Sequence, residues 1–163
     1  MSRNLVVAAV AAALLSSTAG AAGAEDGLGS AAVASPEMSE ATQVVEAFHA
    51  ALKADRTEAA LALLAEDVMV LEEGGAERSR DEYAAHHLAA DASFAAVTEA
   101  TVTRRAGWVD GAVAWITTEG RTTGLAGDRT IDRLTAETMV LTRGADGWRI
   151  HHIHWSSRAA PAA

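Results

Sequence analysis

The chain has 163 residues, no cysteine and a formal charge of −9 from 13 basic and 22 acidic side chains. That balance argues against nucleic acid or an anionic membrane surface as a partner, because phosphates are held by Lys and Arg. Without disulfides, stability must come from one ordinary hydrophobic core, and the roughly 120 residues after Pro36 suit a single domain.

Residues 1–24 read as a secretory signal. Arg3 adds positive charge to the N-terminus, residues 5–15 form an unbroken apolar run, and Ala22-Gly23-Ala24 is an A-x-A cleavage pattern. The run is too short to span a bilayer as a stable helix. The expectation is an exported protein, periplasmic or extracellular, with no membrane association after cleavage. Removing these residues takes away one Arg and no acid, leaving 12 basic and 22 acidic side chains and a charge of −10. Residues 25–35 are rich in Gly, Ala and Ser and read as a flexible linker. The domain is expected over 36–157, with a short tail at 158–163.

Ser35-Pro36-Glu37 has the chemistry of a helix start: a capping hydroxyl, Pro in the first turn and an acid beside it. Ala41, Val44, Val45, Phe48 and Leu52 follow at helical spacing, and the helix should end near Lys53. His49, next to Phe48, is read as a surface or boundary residue. Asp55, with Glu58 three residues on, predicts a capped second helix. Val68-Met69-Val70-Leu71 is a short strand, broken by Gly74 and Gly75; Glu72 and Glu73 are read as part of a solvated turn. Ser79-Arg80-Asp81-Glu82 is an S-x-x-E capping box that opens a third helix, ending before Phe94. Tyr83 and His87 share a face of it, with His86 alongside.

From Val97 the hydrophobic period changes from 3.6 to 2. Strands are expected over 98–105, 113–119, 131–143 and 148–156. Asp110-Gly111 and Asp146-Gly147 are hairpin signals, and Gly124, Gly127 and Asp128 mark a longer loop. The order is two helices, a short strand, a helix and a four-stranded antiparallel meander. This is an α+β layout with one sheet packed on about three N-terminal helices.

Three stretches carry a family resemblance: Val44-Val45-Glu46-Ala47-Phe48, the run Leu61 to Val68, and Gly147-Trp148-Arg149-Ile150. In this order they resemble the nuclear-transport-factor-2-like superfamily, which includes ketosteroid isomerases and SnoaL-like polyketide cyclases. The tail His152-Ile153-His154-Trp155-Ser156-Ser157 is similar to the last strand of a SnoaL-like subgroup without assigned function. The resemblance implies a cystatin-like, cone-shaped sheet with a pocket at its open end, and a homodimer. It does not carry over an isomerase's catalytic Asp and Tyr: Tyr83 lies in the third helix, and no Asp is a defensible match to the base. Fold alone leaves the reaction open.

The terminal histidines are the sharpest local feature. Strand alternation places Trp148, Ile150, His152 and His154 on one face, taken as the concave one, and Arg149, His151, Ile153 and Trp155 on the other; a bulge would exchange the later positions. His152 and His154 would then stand roughly 7 Å apart along one pocket wall. Three uses are open. The pair could work as general acid and base on a small organic molecule, with Glu137 holding a ring in one tautomer and Tyr83 donating to an oxyanion. It could bind zinc or copper, with His86, His87 or Glu137 completing the ligand set. Otherwise the pocket, lined by Phe48, Trp115, Trp148 and Met139, binds a ligand without chemistry or serves only as part of a dimeric accessory domain. No other cofactor is expected, since P-loop, dinucleotide, zincin and serine-hydrolase motifs do not occur.

Overall fold

The computed structural model describes residues 35–161. The expected signal segment, the linker up to residue 34 and the last two residues of the tail lie outside the described residues.

The first helix forms as its sequence demands. In α1 (Pro36–Lys53) the Ser35 hydroxyl accepts from the Met38 amide at 3.2 Å. Ala41, Val45, Phe48 and Leu52 are buried along one stripe. The second helix, α2 (Thr57–Leu61), is not capped by Asp55. Asp55 instead takes a positive φ of 53°, so the chain turns there and Arg56 stands at the cap without a side-chain bond. The N-cap at Ser79 does form, with the return bond of the box shifted one residue back: the Ser79 hydroxyl accepts from the Glu82 amide at 3.1 Å. Glu82 reaches back to the Arg78 amide at 2.6 Å. The expected single third helix is two, α3 (Arg80–His86) and α4 (Leu88–Val97), broken at His87 and running past Phe94.

The strands are β1 (Leu64–Glu72), β2 (Gly75–Glu77), β3 (Thr98–Asp110), β4 (Val113–Ala126), β5 (Arg129–Gly144) and β6 (Gly147–Ala159). They make one sheet in the order β2-β1-β6-β5-β4-β3. The meander is as expected but longer, because the anticipated loop around Gly124 is strand. Gly124 is required there: a Cβ would lie 2.7 Å from the Val97 carbonyl oxygen. Two corrections concern the sheet. It is mixed, since β1 runs parallel to β6, and β6 continues to Ala159, into the segment read as tail.

One face of the sheet is covered by the helices. Its core includes Ile116, Met139, Leu141, Ile150, Ile153 and Trp155 packed under Phe48, Leu52 and Tyr83. The opposite, outer face carries two central rows without a charged residue. Trp108, Trp115, Val140, His152 and Met69 are register partners across five strands. Ala106, Thr117, Thr138, His154 and Leu71 form the next row. Among the described residues no helix is long and apolar enough to cross a membrane.

Candidate functional site

A bulge decides which histidines can reach the interior. Leu141 pairs with Ile150 and Val140 with His152, leaving His151 as an extra residue in β6. Every later side chain of the strand changes face relative to simple alternation. Ile153 and Trp155 therefore point inward, 0% and 2% exposed. His152 and His154 point outward, which corrects their expected place on the concave wall. Their rings lie 6.5 Å apart, and His152 Nδ1 is 3.0 Å from the Met69 carbonyl oxygen. His151 Nδ1 is 3.3 Å from Asp67 Oδ1.

The interior polar row is made by other residues. Arg105, Thr118, Glu137, Trp155 and Glu72 are register partners on five adjoining strands, facing the helices. Glu137 is 3% exposed and His49, from α1, is 2% exposed. His49 Nε2 is 2.8 Å from Glu137 Oε2. The Trp155 indole N–H donates to the same oxygen at 2.7 Å. Burial alone would raise the Glu137 pKa. The charge of His49, the hydrogen bonds from His49 and Trp155, and the Arg105 guanidinium outweigh it and hold the carboxyl below its usual value. An ionised Glu137 only accepts, so the shared proton sits on Nε2 of His49. His49 Nδ1 and Glu137 Oε1 are both buried and have no hydrogen-bond partner among the described residues.

Around this pair the packing is aromatic. Phe48 stacks on Trp155 with ring centroids 6.4 Å apart and meets His49 edge-on at 5.6 Å. Arg105 sits at the end of the row, its Nη1 2.7 Å from Glu46 Oε1 and its Nε–H donating to the Thr118 hydroxyl at 3.3 Å. On the other side of Trp155, 6.5 Å from its ring, is Tyr83. Its hydroxyl donates to Asp91 Oδ2 at 2.8 Å, and both residues are 0% exposed. Burial pushes Asp91 up to about 7; Glu72 and Glu77 add to the rise, while the Tyr83 hydrogen bond and His87 oppose it. Burial, then the Asp91 carboxyl, raises the Tyr83 hydroxyl well above its usual value, so it stays a donor. That donation is committed to Asp91, which corrects the expectation of a free oxyanion donor. Asp91 Oδ1, like the Thr122 and Thr135 hydroxyls, is buried without a partner among the described residues.

Not all the other expected site residues gather here. Phe48 and Met139 do, the latter two residues along β5 from Glu137 on the same face. Trp148 is buried near the β5–β6 turn, opposite Arg143, whose guanidinium lies 5.9 Å from its ring. Trp115 is on the outer face, because its register partner Val140 is. His86 is exposed, and His87 Nδ1 pairs with Glu77. His152 and His154 thus lack the third metal ligand expected from these groups: His87 is engaged and Glu137 is on the other side of the sheet. No group of three or more potential ligands occurs among the described residues. A concavity of about 530 Å³ lies away from the buried pair, lined by Thr103, Glu119, Leu134, Ala136, Ser156 and Arg158 among others. It offers no group that ordinarily titrates near neutrality.

The sequence reading missed His49 and Asp91. Both had a signal. His49 stands four after Val45 and three before Leu52, on the buried stripe of α1. Asp91 stands three after Leu88 and four before Ala95, which are buried on α4. A polar residue on an apolar stripe is the informative observation.

Comparison with known proteins agrees with this architecture. Residues 41–161 match the family profile described as a SnoaL-like domain. A protein from Shewanella frigidimarina assigned as a ketosteroid isomerase is 37% identical, with a TM-score of 0.70, over 74% of this chain and 98% of that one. A protein from Streptomyces avermitilis assigned as a dehydratase of the nuclear-transport-factor-2-like family is 17% identical, with a TM-score of 0.64, over 78% of this chain and all of the other. One from Novosphingobium aromaticivorans, described as having a cystatin-like fold, is 15% identical with a TM-score of 0.62, over 77% and 84% of the two chains. No curated protein matches. With its profile match and its helix-covered curved sheet, the chain belongs to the family of SnoaL-like domains.

Proposed function

We propose that this SnoaL-like domain binds a small organic molecule on the inner face of its sheet and that His49 moves a proton to or from it. The observation that carries the reading is the unpaired Nδ1 of His49, buried in a polar row while Nε2 is tied to Glu137. Buried polar atoms ordinarily have partners, and several orphans in one interior ask for a partner from outside the chain, ligand or water. In the neutral form of His49, with its one proton on Nε2, Nδ1 holds the lone pair of a general base; the imidazolium form, which depresses the Glu137 pKa, is the conjugate acid. Glu137 stabilises the imidazolium formed when Nδ1 takes a proton, and Trp155 and Phe48 fix the orientation of both groups. The role expected for Glu137, holding a histidine in one tautomer, is kept; the histidine is His49 in place of His152 or His154. Both groups are nearly covered without ligand, so binding requires a displacement that opens Nδ1. Export, expected from residues 1–24, belongs to the same proposal, as does a homodimer.

The test is proton exchange. The protein is incubated in D2O with small ketones, including a 3-ketosteroid, and loss of α-protons is followed by NMR. Wild type should accelerate exchange of at least one ketone, and His49→Gln should reduce the acceleration by at least 100-fold, the scale of general-base catalysis. His86→Ala should not. Undiminished exchange in His49→Gln, or no exchange and no thermal shift with any ketone in wild type, would refute the reading.

A further inference from the structure

The outer face poses a separate question. Its two central rows carry no charge, and Trp108 and Met69 stand on it 52% and 42% exposed. The chain carries a net charge of −9, so two copies repel unless they meet through a face free of like charge. An exposed apolar face of this kind marks a contact. Near its middle, on β6, stand His152 and His154, one in each row.

The chemistry of this pair is specific. The Met69 carbonyl only accepts, so the 3.0 Å contact puts the proton of neutral His152 on Nδ1 and leaves the lone pair on Nε2. A ring N–H held by a backbone carbonyl is the arrangement that orients metal-binding imidazoles. With Zn–N bonds of about 2 Å, two rings sharing one ion have centroids roughly 5–6 Å apart. The observed 6.5 Å exceeds that span by about 1 Å, a distance that side-chain rotamer changes can close. Two ligands are half of a tetrahedral zinc shell. The described residues of one chain supply no third, but a two-fold axis through this face supplies the missing two.

We propose that two copies of this chain pack outer face to outer face and that His152 and His154, with the partner's His152 and the partner's His154, hold one zinc ion on the axis. The proposal rests on the homodimer reading and is independent of the chemistry at His49.

Untagged protein is stripped with chelator, then titrated with zinc sulfate while metal content and sedimentation are measured. The expected result is one zinc per two chains and a dimer dissociation constant lowered at least tenfold by zinc. His154→Ala, a change at an exposed position, should abolish zinc binding and the zinc-dependent tightening while leaving the circular dichroism spectrum unchanged; His86→Ala should behave as wild type. Zinc bound equally well by monomers, one zinc per chain, or binding retained in His154→Ala overturns the shared site. A dimer that neither binds zinc nor responds to it overturns the metal and leaves the dimer standing. A monomer at every zinc concentration overturns both.

Discussion

Replacing Asp91 by Asn should make the protein more stable at neutral pH and should remove a defined part of its pH dependence. Asp91 is wholly buried, accepts one hydrogen bond from Tyr83, and has its pKa pushed from 3.8 to about 7. A carboxyl whose folded pKa is raised binds more protons folded than unfolded between the two values. Its contribution is most favourable below about 4 and declines as pH rises to about 7, beyond which it is constant. At about 1.4 kcal/mol per unit, the shift amounts to a penalty of order 4 kcal/mol above pH 7. Asn keeps the shape and an acceptor for the Tyr83 hydroxyl but carries no charge to desolvate. Urea unfolding of both proteins at one protein concentration, from pH 4 to 8.5, is the assay. The difference in stability should be within about 1 kcal/mol near pH 4, grow in favour of the variant up to pH 7, and then level at up to about 4 kcal/mol. Groups distant from Asp91 contribute equally in both proteins and cancel. A difference that stays constant with pH, or a variant less stable at pH 8, would refute the claim that the site forces a charge into the core.

Glu137 carries the opposite sign. Its folded pKa is depressed, so its contribution is present above the ordinary carboxylate range and lost as pH falls through the folded value. Glu137→Gln should cost about 1.5–3 kcal/mol at pH 7, the scale of a hydrogen bond to a charged group, and should weaken the acid-induced loss below about pH 4.5. Acid titration followed by tryptophan fluorescence checks this, and an unchanged acid limb would contradict it. Gly107→Ala places a Cβ 2.2 Å from the Trp115 carbonyl oxygen and 2.7 Å from Met38 Cε. The β3–β4 ladder or α1 must give way, at roughly 1–3 kcal/mol; urea unfolding with no loss would mean that the strands separate freely there.

Much of the fold was legible because it rests on local chemistry. Ser35-Pro36 and Ser79-Glu82 cap helices through bonds that span three or four residues, and the meander follows from period-two patterning with tight turns. Asp55 misled for a local reason too. Its carboxylate suits a cap, but the link from α1 to α2 required a left-handed turn at that position, which Asp tolerates better than most residues.

The site was legible only in part, and the physical reason is the sheet's register. Sequence alone placed Phe48 on the apolar stripe of the first helix and Glu137 on one strand face with Met139 and Leu141, but left open which face of that strand is inward; Tyr83 was a candidate only from its helix face. The sequence also made the terminal histidines conspicuous. Which face those histidines occupy depends on one unpaired residue, His151, and no pattern within β6 reveals a bulge that is set by pairing with β5 and β1. That single offset brings Trp155 to Glu137, sends His152 and His154 to the outer face, and leaves the interior histidine to come from α1, 88 positions before Glu137. Contacts over such separations are decided by packing, where helices meet the sheet and a buried carboxylate must find its donors. The sequence by itself determined most of the elements, two of the three expected caps and Glu137 as a candidate; tertiary structure alone decided which histidine meets the carboxylate.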